Sequence, residues 1–244
     1  MSPLAISVIV FLCVFGGALA GVALHAILPE HHRSAESKEV VKGAVGLIGV
    51  MSGLVLGLLI ASAKGSYDTK KDEITTLASD CLLLDRVLAH YGPESAPARA
   101  ELREAVARFV EQVSRGDGVP ATGPESLYDR IASLTATNDA QRGLQSQASG
   151  LLMGIARTRF LLFAQSGSSI STALLVIVVF WLSVNFASFG LFARRNTTMT
   201  TALLLCALSV AGAIFLILEM DRPFEGILRI SDAPLREVLT LLGR

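Results

Sequence analysis

The residues with the clearest capacity for chemistry in this chain of 244 residues lie just after the first apolar stretch. They are Pro29, Glu30, His31, His32, Glu36 and Glu39. Imidazole and carboxylate groups bind zinc and other divalent transition metals. Adjacent histidines point in different directions on a helix, however, and no third ligand follows at a characteristic spacing. We therefore predict an exposed loop here, with no metal and no cofactor.

The three cysteines, Cys13, Cys81 and Cys206, are spaced too widely for a zinc motif or a redox pair. Their apolar surroundings predict that all three are packing residues. A nucleophile, a base and an orienting group cannot be assembled from the remaining residues either. We therefore predict that the protein is not an enzyme.

Acidic groups follow the last apolar stretch, where Glu219, Asp221 and Arg222 close a predicted helix. Such groups are costly inside a membrane and often functional there. Because these stand at the boundary, we expect a local Asp–Arg pair and a stop signal. Pro223 and Gly226 then predict a tight turn. That turn should fold the apolar side chains after it back toward the membrane, namely Phe224, Ile227 and Leu228.

A row of small residues marks the second apolar stretch. It consists of Gly49, Gly53, Gly57, Ala61 and Gly65. Glycine weakens a helix, so a row of it indicates close approach of another backbone. Two interpretations stay open: a tight contact within one subunit, or a helix that packs between subunits or lines a pore. Gly17 and Gly21, in the first stretch, predict packing within the subunit.

Large apolar side chains occupy another side of the same helix. They are Leu47, Met51, Leu54 and Leu58. At about 100° per residue, these side chains lie on the side opposite the small residues. This helix therefore carries large side chains on one side and small ones on the other.

The elements that carry these residues are predicted to cross a membrane. Only 17% of the residues are charged, and the mean hydropathy is +0.56. Charged residues are absent from four blocks, 1–29, 43–63, 160–193 and 196–218. A membrane-spanning helix needs about 20 apolar residues, so each block is long enough. Net charge zero and three cysteines exclude a disulfide scaffold and give no basic surplus for nucleic acid.

We place the spans at 4–28, 43–63, 170–193 and 200–219. Ala18-Leu19-Ala20 also resembles a signal-peptide cleavage site, although no basic residue precedes the first span. Lys and Arg near the span ends number eight on the side of the termini and five on the other side. This predicts termini and the 64–169 region in the cytoplasm, with the protein in a bacterial inner membrane.

The 64–169 region shows helical periodicity throughout, with no competing strand pattern. Its first apolar seam is suited to pairing with another helix; it consists of Ile74, Leu77, Cys81, Leu84, Leu88 and Tyr91. Gly92 and Pro93 should end that helix. A second stripe ends near Gly116 and consists of Leu102, Val106, Phe109 and Val113.

A third helix should start at a capping box formed by Thr122 and Glu125, with Pro124 in its first turn. Leu127, Ile131 and Leu134 follow, and we expect the helix to continue through Gln145. An amphipathic tail helix should lie at the membrane interface or pack on the bundle; its apolar face is Leu235, Val238, Leu239 and Leu242.

The predicted fold is all-α and polytopic, with a helical bundle between spans 2 and 3. Its parts are transmembrane helices at 1–63, the cytoplasmic bundle at 64–169, transmembrane helices at 170–219 and the tail at 220–244.

Two segments, 57–68 and 218–226, resemble the bestrophin-like membrane proteins of unknown function. The matching residues include Tyr67, Asp68, Asp221, Arg222, Pro223, Phe224 and Gly226. The resemblance implies a relation to bestrophins, which are homopentameric anion channels with a pore lined by their second span. The chain departs from that family in two ways. Residues 43–63 contain no aromatic side chain, and Glu219, Asp221 and Glu225 are too few acidic residues to form a calcium clasp after the fourth span.

Together these observations predict a homo-oligomeric membrane pore, pentameric by resemblance, with the lipid bilayer and a permeant ion as its partners. An apolar constriction would be formed by Met51, Leu54 and Leu58. Neighbouring helices would pack on Gly49, Gly53, Gly57 and Ala61. The opposite orientation, with the glycines toward the axis, stays open, as does a non-conducting scaffold or sensor whose bundle binds a partner.

Overall fold

The structure is a computed structural model that describes residues 2–27, 35–116, 119, 125–165, 167, 170–192, 196–224 and 226–243. Within these ranges all regular structure is helical, as predicted. The α-helices are α1 (Pro3–Ile27), α2 (Ala35–Tyr91), α3 (Ala96–Arg115), α4 (Glu125–Ala132), α5 (Asp139–Ala164), α6 (Thr172–Phe192), α7 (Thr197–Asp221) and α8 (Ala233–Leu241). A 3-10 turn at Pro93–Ser95 links α2 to α3.

Within the described part of the chain, four helices are long and apolar enough to cross a membrane, namely α1, α2, α6 and α7. This confirms the four spans predicted from the uncharged blocks. The second span, predicted at 43–63, is part of a longer helix, α2. It continues to Tyr91 as a single helix of 57 residues, about 85 Å long at 1.5 Å per residue. The predicted seam helix is therefore the continuation of the second span.

The chain forms two compact units, and α2 contributes residues to both. The first comprises Met1–Gly65 and Ser169–Asp221, and the second comprises Ser66–Ser168 and Arg222–Arg244. Three predicted features lie outside the described residues: the 29–32 cluster, Thr122 with Pro124 of the capping box, and Glu225. The side chain of Glu36 also lies outside them.

In the first unit, α1 and α6 approach closely at small residues. A Cβ added to Gly17 would lie 2.7 Å from the carbonyl oxygen of Ser183, and one added to Gly21 would overlap the carbonyl of Ala187. Gly190 on α6 faces Ala18 in the same way. Small residues let helix backbones touch, and such contact drives helix association in lipid. The prediction that Gly17 and Gly21 pack within the subunit is confirmed.

In the second unit, the predicted apolar seam is the centre of the bundle. All six of its residues are buried, together with the stripe on α3 and with Leu235, Val238 and Leu242 of the tail, and Leu239 is partly buried against them. The tail helix therefore packs on the bundle, which decides between the two alternatives. Asp85, fully buried beside the seam, accepts two hydrogen bonds from Arg99, at 2.8 and 3.0 Å. This bidentate pair satisfies a carboxylate that would otherwise be costly to bury.

Helix ends follow the predicted signals at two positions. Helix α2 ends at Tyr91, and Gly92 has a φ of 130° that other residues rarely adopt. Helix α3 ends at Arg115, and Gly116 has the left-handed conformation of a glycine cap.

The expectation of one helix from Leu127 through Gln145 is wrong. Helix α4 stops at Ala132, and α5 starts anew at Asp139, where the side chain of Asn138 accepts a hydrogen bond from the backbone N–H of Gln141. Gln145 donates instead to the carbonyls that α4 leaves open, including that of Ile131 at 2.9 Å. These polar side chains stabilise the break.

The expected return of Phe224 toward the membrane is also wrong. Phe224 is 6% exposed and belongs to the core of the bundle. Ile227, by contrast, is 76% exposed. The turn itself is present, with Gly226 at a φ of 80°.

Candidate functional site

The membrane-spanning part of α2 has one face buried inside its own unit. Val45, Ser52, Leu59 and Ala63 line that face. Leu59 and Ala63 pack against Val178 of α6 and Ile217 of α7. The hydroxyl of Ser52 donates to the carbonyl oxygen of Ile48 at 2.7 Å, so its polarity is satisfied within the helix.

The small-residue face of α2 is largely uncovered. A Cβ added to Gly53, Gly57 or Gly65 would meet no atom within 4 Å among the described residues. One added to Gly49 would lie 3.1 Å from the Oδ1 atom of Asn185. A contact within the subunit therefore accounts for Gly49 and not for Gly53 or Gly57.

The large apolar face of α2 is uncovered as well. Leu54 is 76% exposed and Leu58 is 66% exposed, and Leu47 and Met51 are exposed beside them. With about 100° per residue, the buried face, the small-residue face and the large face each take roughly a third of the circumference. The large and small faces are thus neighbours around the helix rather than opposites. Apart from the contact of Gly49 with Asn185, the described residues leave two of the three faces largely uncovered.

No ionisable or aromatic side chain lies on α2 between 43 and 63. The large face can thus exclude water when several copies approach, and it offers no charged ligand to an ion. This face would therefore act on an ion by removing its water, and not by coordinating it.

Asn185 is a site residue that the sequence analysis did not identify. It is 5% exposed on α6, its Nδ2 group donates to the carbonyl oxygen of Trp181 at 3.1 Å, and it faces Gly49. A side-chain amide inside an uncharged block was the available signal, because buried polar groups within membranes are costly and bind partners.

Of the charged residues at the end of α7, the two acidic ones are buried. Glu219 is 4% exposed and Asp221 is 3% exposed, whereas Arg222 is exposed. Lys70 on α2 is also fully buried. Tyr67 and Asp68, in the first matching segment, are half-buried.

Of the three cysteines, only Cys81 packs inside the protomer. Burial raises the pKa of the Cys81 thiol to about 12, and the nearby charge of Asp80 adds to the shift. Cys13 and Cys206 are exposed on α1 and α7 of the protomer, so their role as packing residues stays a prediction.

The described residues contain no group of three or more His, Cys, Asp and Glu side chains that could hold a metal ion. His25 has another role, because its Nδ1 atom lies 2.7 Å from the carbonyl oxygen of Leu191. It links the ends of α1 and α6.

Comparison with known proteins gives two matches. The sequence profile of the bestrophin-like domain matches residues 12–235. The crystal structure of a bacterial bestrophin homolog from Klebsiella pneumoniae, carrying a point mutation, is similar with a TM-score of 0.67 and 11% sequence identity. The similarity covers 96% of this chain and 97% of that one. No curated protein matches the chain. At 11% identity, the structural likeness shows the fold alone.

Proposed function

The chain belongs to the bestrophin-like family, and from this premise we propose that it assembles into a homo-oligomeric pore lined by α2. The observation that carries the proposal is the uncovered pair of faces on the spanning part of α2. A helix with a Leu-rich face and an adjacent glycine face, both open in the protomer, is suited to touch a neighbouring subunit and a pore axis at once.

In this arrangement Met51, Leu54 and Leu58 form successive apolar rings. Residues three and four apart on a helix rise by about 4.5 and 6 Å, so the rings stack along the axis. Narrow apolar rings exclude water, and an ion that enters must lose its hydration. The rings would act as a gate that opens when they widen and become wet.

The small-residue face then serves assembly. Gly53, Gly57 and Ala61 would receive the backbone of a neighbouring helix, while Gly49 stays with Asn185. Family resemblance suggests five subunits and an anion as the permeant ion. The span itself carries no basic residue that would select anions, so selectivity would arise outside 43–63.

The alternative function, a non-conducting scaffold or sensor, rested on the apolar seam from Ile74 to Tyr91 as a partner-binding surface. All six seam residues are buried within the bundle of the same chain. A partner therefore has no access to the seam, and this observation favours the pore.

Ion flux through reconstituted liposomes tests the proposal. The Leu54→Ala and Leu58→Ala double variant should widen the rings and raise chloride flux over the parent, because a wider ring lowers the desolvation barrier. Leu205→Ala with Leu208→Ala is the matched control, since both leucines are similarly exposed on α7. The control variant should conduct like the parent.

Two results would count against the pore. One is a monomeric mass in detergent for a folded parent. The other is the same flux from parent, double variant, control and empty liposomes, with assembly verified.

A further inference from the structure

Backbone contacts hold the described residues of the turn that follows α7. The backbone N–H of Ile230 donates to the carbonyl oxygen of Pro223 at 2.8 Å, and Gly226 supplies the left-handed residue that the turn requires. Phe224 anchors the loop in the core of the bundle. The loop is thereby held in place by its own backbone and by packing.

This loop orients Arg229. Its Nε group donates to the carbonyl oxygen of Gly226 at 3.0 Å. Among the described residues, no protein group accepts a hydrogen bond from the terminal amino groups of Arg229. A guanidinium fixed through Nε keeps its outer fork available for an anion.

The facing wall is a network of three side chains. The hydroxyl of Ser114 donates to Oδ2 of Asp232 at 2.6 Å, and Nε of Arg236 donates to the same oxygen at 2.7 Å. A terminal amino group of Arg236 donates to the Ser114 hydroxyl oxygen at 2.9 Å. Hydrogen bonding by Ser114, with help from Arg236, lowers the pKa of Asp232, so its carboxylate stays ionised at neutral pH.

Loop and network enclose a cavity of about 280 Å³, with Val113, Phe224 and Ser231 in its wall. This volume is close to the lower bound of about 300 Å³ for small-molecule sites. Among the described residues in its wall are two guanidinium groups and one carboxylate, which leaves one positive charge uncompensated. A cation is therefore disfavoured and an oxyanion is favoured.

We propose that this cavity binds a phosphate group, with the outer fork of Arg229 as its main ligand and Arg236 as a second source of positive charge. The planar fork of arginine matches two oxygens of a phosphate, which makes the pair stronger than a neutral hydrogen bond. Pro223 and Gly226, identified in the sequence by family resemblance, shape the cavity. This role is independent of whether the protein conducts ions.

The phosphate could belong to a lipid headgroup or to a soluble phosphate ester. Beside Arg229, Ile227 is 76% exposed and Leu228 is 36% exposed. Exposed apolar side chains next to a basic one are typical of contact with a lipid interface. The chemistry of recognition is the same for both sources.

Isothermal titration of the full-length protein in uncharged detergent tests the proposal. The probes are glycerol 1-phosphate and dihexanoyl phosphatidic acid, with dihexanoyl glycerol as the phosphate-free control. Arg229→Gln should weaken phosphate binding about tenfold or more, because it removes the charged fork. Arg108→Gln is the matched control variant, since Arg108 is an exposed arginine on α3 that pairs with Glu104, outside the cavity. It should bind like the parent.

Binding of phosphatidic acid alone would support the cavity as a lipid site, and binding of both phosphate probes would support a site for phosphate esters in general. Arg229→Lys keeps the charge without the fork and should bind with intermediate affinity, which tests the site if Arg229→Gln does not fold. Equal binding by parent, Arg229→Gln and Arg229→Lys would overturn the proposal. So would binding of dihexanoyl glycerol as tight as that of phosphatidic acid.

Discussion

At the scale of single residues, burial determines what each polar or reactive group can do. The thiol of Cys81 lies in the core of the bundle, where its pKa is raised to about 12. Since the thiolate is the nucleophile, this side chain is protected chemically as well as sterically. The same shift disfavours folding as the pH rises from 9 toward 12, because only the unfolded chain ionises readily there.

This protection predicts slow alkylation of Cys81 in the folded protein. At pH 8 the thiolate fraction is about one in ten thousand, so iodoacetamide should react roughly a thousandfold more slowly than with a free cysteine. After unfolding in guanidinium the reaction should become fast. Peptide mass spectrometry measures both rates, and native labelling at the rate of a free thiol would contradict the buried position.

Some buried charges could not be located from the sequence. Lys70, Glu219 and Asp221 stand next to apolar stretches, and residue type alone suggests solvated boundary positions. Their burial depends on how the helices pack, which periodicity does not specify. The burial of Asp85 could not be predicted from the sequence either, because its partner Arg99 lies on another helix.

At the scale of helices, periodicity and helix-breaking residues were reliable guides. The uncharged blocks predicted four spans, and glycine marked the ends of α2 and α3. Near position 63, the predicted end of the second span, polarity changes while no proline interrupts the helix, so α2 continues to Tyr91. The break between α4 and α5 was missed because it is stabilised by the side chains of Asn138 and Gln145 rather than by a glycine or proline.

Two glycines on the same helix should respond differently to the same substitution. Gly21→Leu would collide with the backbone of Ala187, so the folded protomer should be lost. Gly16→Leu, also on α1, meets no atom within 4 Å and is the control. Protein yield and the thermal midpoint in detergent measure the difference. Equal stability of both variants would contradict the contact between α1 and α6.

Gly53→Leu should leave the protomer folded and weaken its assembly. A Cβ added there meets no atom within 4 Å among the described residues, yet the leucine side chain would fill the face proposed to receive a neighbouring helix. Gly212→Leu is the control, because it makes the same change at an exposed glycine of α7 where an added Cβ also meets no atom within 4 Å. Oligomeric mass in detergent, measured by light scattering, separates the two. An intact oligomer with Gly53→Leu would mean that the small-residue face is not an interface.

At the scale of the whole molecule, the fold class and the family could be predicted from the sequence. The sequence also showed which residues form each face of α2, but not which of these faces are exposed in the protomer. Whether a face is covered depends on helices distant in sequence, such as α6 and α7. The cavity beside Arg229 depends on Ser114, which lies more than a hundred positions away in the chain. Neither property is encoded in local spacing.

The orientation in the membrane is a further property of the whole molecule, and labelling with a membrane-impermeant maleimide tests it. Four spans place the termini and the 64–169 region on one side, and the excess of Lys and Arg there predicts that this side is cytoplasmic. Thr198→Cys, at the start of α7, should therefore react in intact cells. Ser146→Cys, on the exposed surface of α5, should react only after permeabilisation.

Cys13 and Cys206 are replaced by alanine in both variants, whereas Cys81 is kept because its buried thiol does not react. Labelling of Ser146→Cys alone in intact cells would reverse the orientation. Labelling of both cysteines would place them on the same side, which an odd number of spans between positions 146 and 198 does not allow. The expected pattern requires α6 to cross the membrane completely, and it would place the bundle with its Arg229 cavity on the cytoplasmic side.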